Sequence, residues 1–175
     1  MNKHLQAVRE FREKFNCPPP EDHVSDMHIV VRQAWLMDAG SRSLLALKQG
    51  DMAEVLGKLI GLTYLALNAI AQKGCECEVE EQPALWRHDG TVLSLMRLIS
   101  ERISACSSGL CKDYSALYGV TAQLTSSFMN ADFDKAFAIF HQHQLETGRV
   151  YGQEVESRGE VDWTALPDLS DCLYE

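Results

Sequence analysis

Apolar residues recur at every third or fourth position through most of this chain, which is the spacing of one buried face on an α-helix. The clearest example runs from Met27 to Gly74, where two helix-length patterns are separated by Gly50 and Asp51. Asp51 is a favourable N-cap, and Gly50 is a favourable residue at the end of the preceding helix. The sequence therefore predicts an antiparallel helical hairpin over residues 27–74.

Both helices of this hairpin carry apolar residues on more than one face. The second helix has a regular stripe formed by Met52, Val55, Leu59, Leu62, Ala66 and Ile70. The first helix has a wider apolar arc formed by Ile29, Val30, Ala34, Leu36, Met37, Ala39, Ser43, Leu44 and Leu47. Further apolar residues lie outside the main stripes, among them Val31, Trp35, Leu45, Ile60, Leu65 and Leu67. A helix that is apolar on several sides must be covered on all of them.

This excess of apolar surface predicts that the protein assembles with itself. A two-fold axis lets the same patch serve both partners. The sequence therefore predicts an isologous homodimer, or a higher homo-oligomer, with Trp35 in or near the interface. The alternative is that residues 90–147 cover these faces within one chain.

Four further helices are predicted outside the hairpin. The first begins near the N-terminus and ends at the Cys-Pro-Pro-Pro run of residues 17–20, because proline disfavours helix in the residue before it. The other three follow apolar repeats that begin near Val92, Leu117 and Phe133. No segment alternates with period two, so the predicted fold class is all-α, a helical bundle built around the hairpin. Residues 1–150 are predicted to form this single domain, and residues 151–175 an extended, partly ordered C-terminal tail.

The composition argues against several classes of function. The net charge is -9 over 175 residues, which disfavours nucleic-acid binding because that depends on basic patches. No run is interpreted as long and apolar enough to cross a bilayer, and the charged N-terminus does not resemble a signal peptide. We expect a soluble, cytoplasmic protein with no membrane or nucleic-acid partner. In that compartment the six cysteines are expected as thiols, while their even number leaves disulfides open.

Few residue clusters have the spacing that a metal or catalytic site needs. Two cysteine pairs do not match the usual zinc spacings, namely Cys75-x-Cys77 and Cys106-x4-Cys111. His141 and His143 point to different faces of one helix, so they are poor joint ligands, although His141 alone stays a candidate. The chain has no phosphate-binding glycine loop, nucleophile elbow or catalytic cysteine signature.

The hairpin does resemble a known family in its apolar framework and its hinge. The residues that match in order and spacing are Leu36, Ala46, Gly50-Asp51 and Leu62-Thr63-Tyr64. They resemble the MazG-like all-α nucleoside triphosphate pyrophosphohydrolases, a group that includes dimeric dUTPases and phosphoribosyl-ATP pyrophosphohydrolase. The lead-in from Phe11 to Pro20 and the segment from Asp134 to His141 are similar to further parts of the family pattern. The resemblance implies a MazG-like fold, a homodimer or tetramer, and a nucleotide ligand.

The resemblance also implies a magnesium site, which this sequence does not retain. In the family, four carboxylates from the two hairpin helices hold Mg²⁺ ions that position a water against the triphosphate. The corresponding residues here are Asp38, Ala39 and Arg42 on the first helix, and Lys58 and Gly61 on the second. No metal ligand and no catalytic residue is therefore assigned, and Mg²⁺ is expected as a cofactor only if the family activity is retained.

Three functional hypotheses remain open at this point. The lost acids favour a MazG-like pseudoenzyme with lost or altered hydrolytic activity, which binds a nucleotide or another phosphate ligand or acts in assembly. The second hypothesis is an active Mg²⁺-dependent pyrophosphohydrolase that uses acids elsewhere, such as Glu101, Asp113 or Glu146. The third is a helical protein-interaction module without a ligand, in which the hairpin is plain core.

The candidate ligand-binding residues are Asp38, Arg42, Lys58 and His141. Arg42 and Lys58 would face each other across the hairpin, where two cations could contact a phosphate directly. The alternative is that each pairs within its own helix, Arg42 with Asp38 and Lys58 with Glu54. Both pairs are four residues apart, and this spacing favours the intrahelical alternative.

Overall fold

The computed structural model describes residues 2–17, 19–20, 24–75, 79, 91–147 and 166–174. Within these ranges the chain forms six α-helices and no β-strand, apart from one isolated bridge between Ala131 and Leu173. The helices are α1 (Lys3–Lys14), α2 (Asp26–Gln49), α3 (Met52–Lys73), α4 (Val92–Ala105), α5 (Cys111–Ser127) and α6 (Phe133–Thr147). Two short 3₁₀ turns cover Cys106–Ser108 and Ser170–Cys172. The predicted all-α helical bundle is confirmed.

The hinge between α2 and α3 forms as the sequence predicts. Gly50 adopts a left-handed conformation, with φ of 78°, and its N–H donates to the carbonyls of Ala46 and Leu47. The Asp51 carboxylate accepts a hydrogen bond of 2.9 Å from the N–H of Glu54. Terminal backbone groups at the end of α2 and at the start of α3 therefore have hydrogen-bond partners, and the chain reverses direction over two residues.

Helix α3 lies at the centre of the bundle. It packs against α1, α2, α5 and α6, and every residue from Val55 to Leu67 is buried. Ile60, Leu65 and Leu67, which the sequence places outside the main stripe of this helix, are therefore buried as well. Helices of the same chain cover these three residues, as the alternative to a dimer proposed, and α5 and α6 are among the helices that pack on α3.

This central helix also corrects the interpretation that no segment could cross a membrane. By length and composition α3 could cross a bilayer, and it is the one such helix in the described part of the chain. However, 89% of its most apolar window is buried inside the protein. Its apolar character is accounted for by its position as the core helix.

The last described residues pack against the bundle. Leu166 contacts Gly57 on α3, and Leu169 and Cys172 are buried. Backbone hydrogen bonds of 2.9 Å join Asp132 N–H to the Cys172 carbonyl and Tyr174 N–H to the Asn130 carbonyl. Residues 166–174 of the predicted tail are thus joined to the domain, whereas the rest of that tail lies outside the described residues.

Candidate functional site

The charged residues that the sequence places across the hairpin form a group of two ion pairs. Arg42 Nε donates to Asp38 Oδ2 at 3.0 Å, and Lys58 Nζ lies 3.8 Å from Glu54 Oε1. Each pair joins residues four apart on one helix, α2 for the first and α3 for the second. The intrahelical alternative is therefore confirmed, and the group carries two positive and two negative charges.

Lys58 differs from the other three residues because it is buried. Only 6% of its surface is exposed. Burial lowers the pKa of the Lys58 ammonium, while Glu54 acts in the opposite direction. Arg42 and Asp38 on α2 also shift this pKa, downward and upward respectively. The two pairs therefore interact electrostatically across the hairpin, although each bridge is formed within one helix.

This arrangement does not fit a magnesium site. Mg²⁺ needs oxygen ligands in an octahedron, usually with one or more carboxylates that no other cation occupies. Asp38 and Glu54 each form an ion pair with a cation of their own helix. Two other positions that correspond to family ligands are Ala39 and Gly61, which are buried and have no side-chain atom that could bind a metal. In the described ranges, no group of three or more His, Cys, Asp or Glu side chains could hold a metal ion.

His141 lies in a different environment from the other three candidates. Its Nδ1 is 3.2 Å from the hydroxyl of Tyr64 on α3, and its ring stacks on Phe137. Burial lowers the pKa of His141, Glu10 raises it and Lys14 lowers it. The structure thus brings Asp38, Arg42 and Lys58 together and places His141 with Tyr64, beneath charged residues of α1.

The acids proposed as replacements for the family ligands do not form a metal-binding group within the described residues. Asp113 accepts a hydrogen bond from Ser108, and Glu146 accepts one of 2.9 Å from Gln142. Glu101 is exposed on α4. Each of these carboxylates lies on a different helix. The hydrogen-bond donors to Asp113 and Glu146 are only five and four residues away in sequence. Their positions give no support to a relocated active site.

The cysteines also differ from the expectation of free thiols. A disulfide joins Cys75, after the end of α3, to Cys111, the first residue of α5. The two residues are 36 positions apart in sequence, but the packing of α5 along α3 brings their Cα atoms to 6.7 Å. Cys106 is a buried thiol whose pKa is raised to about 12, chiefly by burial. Cys77 lies outside the described residues.

Two buried arginines that sequence reasoning missed form hydrogen bonds with side chains near the C-terminal end of α3. Arg12 Nη1 donates to Asn68 Oδ1 at 2.8 Å, and Arg32 Nη2 donates to Gln72 Oε1 at 2.7 Å. The Arg32 guanidinium also lies over the ring of Tyr114. The available signal was the spacing of Asn68 and Gln72, which places two amides on one face of an otherwise apolar helix.

A groove of about 300 Å³ lies between α2 and α4, on the outside of the bundle. Its apolar wall includes Met37, Leu44 and Ile99, and serine hydroxyls line part of the remainder. Gln33 lies at its edge and donates from Nε2 to the Ile103 carbonyl at 2.8 Å. The floor is narrow because Gly40 approaches Ile103 so closely that a Cβ there would lie 2.4 Å from the Ile103 Cδ1.

Comparison with protein-family models, curated proteins and solved structures found no match to this chain.

Proposed function

We propose that this protein is a non-hydrolytic, MazG-like helical protein that acts through assembly as a homo-oligomer. The observation that carries the proposal is the group of two ion pairs on α2 and α3, Arg42 with Asp38 and Lys58 with Glu54. Where the MazG-like family would place carboxylates around Mg²⁺, this chain has Arg42 and a buried Lys58, each paired with an acid of its own helix.

The charges explain why hydrolysis is not expected. A divalent ion near Asp38 and Glu54 would be repelled by Arg42 and Lys58, the two cations that these carboxylates already bind. Without Mg²⁺, the chain lacks the group that positions water and neutralises the triphosphate. The assembly function is supported by the exposed apolar side chains that remain on α2 and α4 after α3 has been covered.

The catalytic prediction is tested by pyrophosphate release from dUTP, dCTP and the other nucleoside triphosphates with Mg²⁺ or Mn²⁺. We expect rates at background for the native chain and for Asp38→Ala, because no metal-binding set exists for this substitution to disrupt. Arg42→Ala serves as the matched variant, since it breaks the same ion pair from the other side. Robust native turnover that Asp38→Ala abolishes would refute the proposal and restore the family activity.

A nucleotide or another phosphate ligand remains a second candidate, favoured by the proximity of Arg42 and Lys58. Such a ligand would have to exchange with Asp38 and Glu54, which now engage these cations. Calorimetry with dUTP, without and then with Mg²⁺, separates the two functions. Binding without Mg²⁺ that is lost in Arg42→Ala supports a ligand, whereas the absence of heat leaves assembly as the function.

The proposal includes a cytoplasmic location, with no membrane and no nucleic-acid partner. Burial of α3 inside the bundle supports this part of it, because in the described part of the chain α3 is the one helix both long and apolar enough to span a bilayer, and it is mostly buried. In that compartment glutathione and thioredoxin would act on the Cys75–Cys111 disulfide. The oxidised protein therefore represents one of the two redox states that the chain would adopt.

A further inference from the structure

The outer surface of the α2–α4 pair is unusually apolar for an exposed helical surface. Ten large apolar side chains are exposed in the described part of the chain, and seven of them lie on these two helices. Four are on α2 and three on α4, namely Met27, Val30, Met37, Leu45, Val92, Leu93 and Met96. Scattered exposed apolar residues need no explanation, but a concentration of them on one pair of helices indicates an interaction surface.

The apolar positions on α2 have a spacing suited to packing against another helix. Positions 27, 30, 34, 37, 41 and 44 alternate in steps of three and four, the spacing of a coiled-coil seam. Five of these residues are apolar, and Ser41 is the exception. Met27 is 67% exposed and Met37 is 60% exposed. The row therefore lies mainly outside the core of its own chain.

The same row is symmetric when the helix direction is reversed. Position 34 then lies opposite 37, 30 opposite 41, and 27 opposite 44. An antiparallel copy of α2 would thus place each position of the row against another position of the row. This is the self-complementarity that an isologous interface requires.

We propose that a second copy of this chain covers the surface, with α2 packed antiparallel against the partner's α2 and Ala34 opposite the partner's Met37. The inference rests on the proposed homo-oligomeric function and names its interface. The small side chains of Ser41, Ser100 and Ser104 leave the groove beside α4 open. In this register the partner's Val30 and Met27 lie over Ser41 and Leu44 and enter that groove.

Charges at the ends of α2 favour the same direction of packing. Asp26 is exposed at the N-terminus and Lys48 at the C-terminus. In the proposed register Asp26 lies opposite the partner's Leu45, so the partner's Lys48 is three residues, or about 4.5 Å along the axis, away. Both ends of the interface would gain this pair, and antiparallel helix dipoles oppose each other favourably. A parallel pair would instead place like charges together.

The first experiment measures mass by light scattering at micromolar concentration. We expect twice the chain mass of 19.6 kDa for the native protein, and a return to the chain mass for Met37→Glu. Leu110→Glu is the matched control, because it places the same charge on an exposed apolar residue outside the α2–α4 surface and should leave the dimer intact. A native monomer, or a dimer that Met37→Glu leaves unchanged, would overturn the interface.

The second experiment tests the register with single cysteines and a short bismaleimide, in a background with Cys17→Ser and Cys77→Ser. Two copies of position 34 lie about 4.5 Å apart along the axis in the proposed dimer, whereas two copies of position 45 lie about 28 Å apart. Ala34→Cys should therefore cross-link to dimer and Leu45→Cys should not. Circular dichroism checks that each variant is folded.

The outcomes separate this inference from the broader proposal. Cross-linking of both cysteine variants would indicate a parallel α2 pair, and cross-linking of neither in a protein with dimer mass would indicate another surface. Either result refutes the antiparallel α2 interface and leaves homo-oligomerisation standing. A monomer mass refutes both.

Discussion

At the scale of single residues, the two ion pairs on the hairpin show how a cation is accommodated on a buried helix. Lys58 occupies a buried position whose neighbours on α3 are apolar, and its stem can pack there while its ammonium reaches Glu54. The sequence predicts both ion pairs, because partners four residues apart on a helix are neighbours. It does not predict how deeply Lys58 is buried, since burial depends on helices that come later in the chain.

His141 provides a prediction about pH at the same scale. Because burial lowers its pKa, the folded protein resists protonation that the unfolded chain accepts near pH 6.5. The unfolded state then binds more protons, so the free energy of unfolding falls as pH decreases below about 6.5. We expect His141→Gln, which can still hydrogen-bond Tyr64 but does not titrate, to show a shallower loss of stability between about pH 7.5 and about pH 5.5.

Urea unfolding midpoints across this pH interval measure the difference. Tyr64→Phe is the control, because it removes the hydroxyl while leaving the imidazole buried, and should keep the native pH dependence at lower stability. Equal slopes for the native protein and His141→Gln would show that another group accounts for the pH dependence.

At the scale of helices, local signals predicted most of what the structure contains. The hinge follows from Gly50 and Asp51 because each acts on its own backbone. The proline run after Cys17 limits α1, which ends at Lys14, before the left-handed Asn16. The cover of α3 could not be predicted in this way. A three-to-four spacing reports one apolar face, but it does not say which later helix will cover the others.

The Cys75–Cys111 disulfide illustrates the same limit and carries a prediction about helix packing. Its 36-residue separation gives a loop-closure contribution of about 4 kcal/mol to the free energy of unfolding in the chain-entropy model. We expect the double variant Cys75→Ser/Cys111→Ser to unfold at a lower urea concentration, with a free energy of unfolding smaller by about 4 kcal/mol. Adding dithiothreitol should weaken the native protein in the same way and leave the double variant unchanged. A native protein insensitive to reductant would contradict the bond.

At the scale of the whole molecule, stability depends on one helix that four others surround. Leu59 lies in the middle of α3 and is 1% exposed. Replacing it with aspartate buries a charge without a partner and removes apolar contacts, at a cost of more than about 4 kcal/mol. We expect Leu59→Asp to abolish cooperative thermal melting or soluble expression. Met52→Asp, at the half-exposed start of the same helix, should melt like the native protein, and similar melting of both would contradict the central position of α3.

The arrangement of all the helices determines which of the candidate ligand-binding residues lie near one another. The sequence correctly predicted that Asp38, Arg42 and Lys58 share one region of the hairpin, because antiparallel helices joined by a short hinge have a fixed pairing. It could not separate His141 from them, since the position of α6 depends on packing. Trp35 is half-buried and packs against the core, beside the exposed row on α2; its place in or near an interface stays a prediction.

The central position of α3 has a consequence for the protein during its synthesis. The helix ends at Lys73, but α6, the last of the helices that cover it, ends at Thr147. At about 5–20 residues per second, roughly 4 to 15 s pass between the translation of these two residues. For that interval α3, an apolar helix of membrane-spanning length, has α1 and α2 available to cover it but not yet the complete α5 and α6. The faces of α3 that α5 and α6 later cover are therefore the last part of the core to be completed during synthesis.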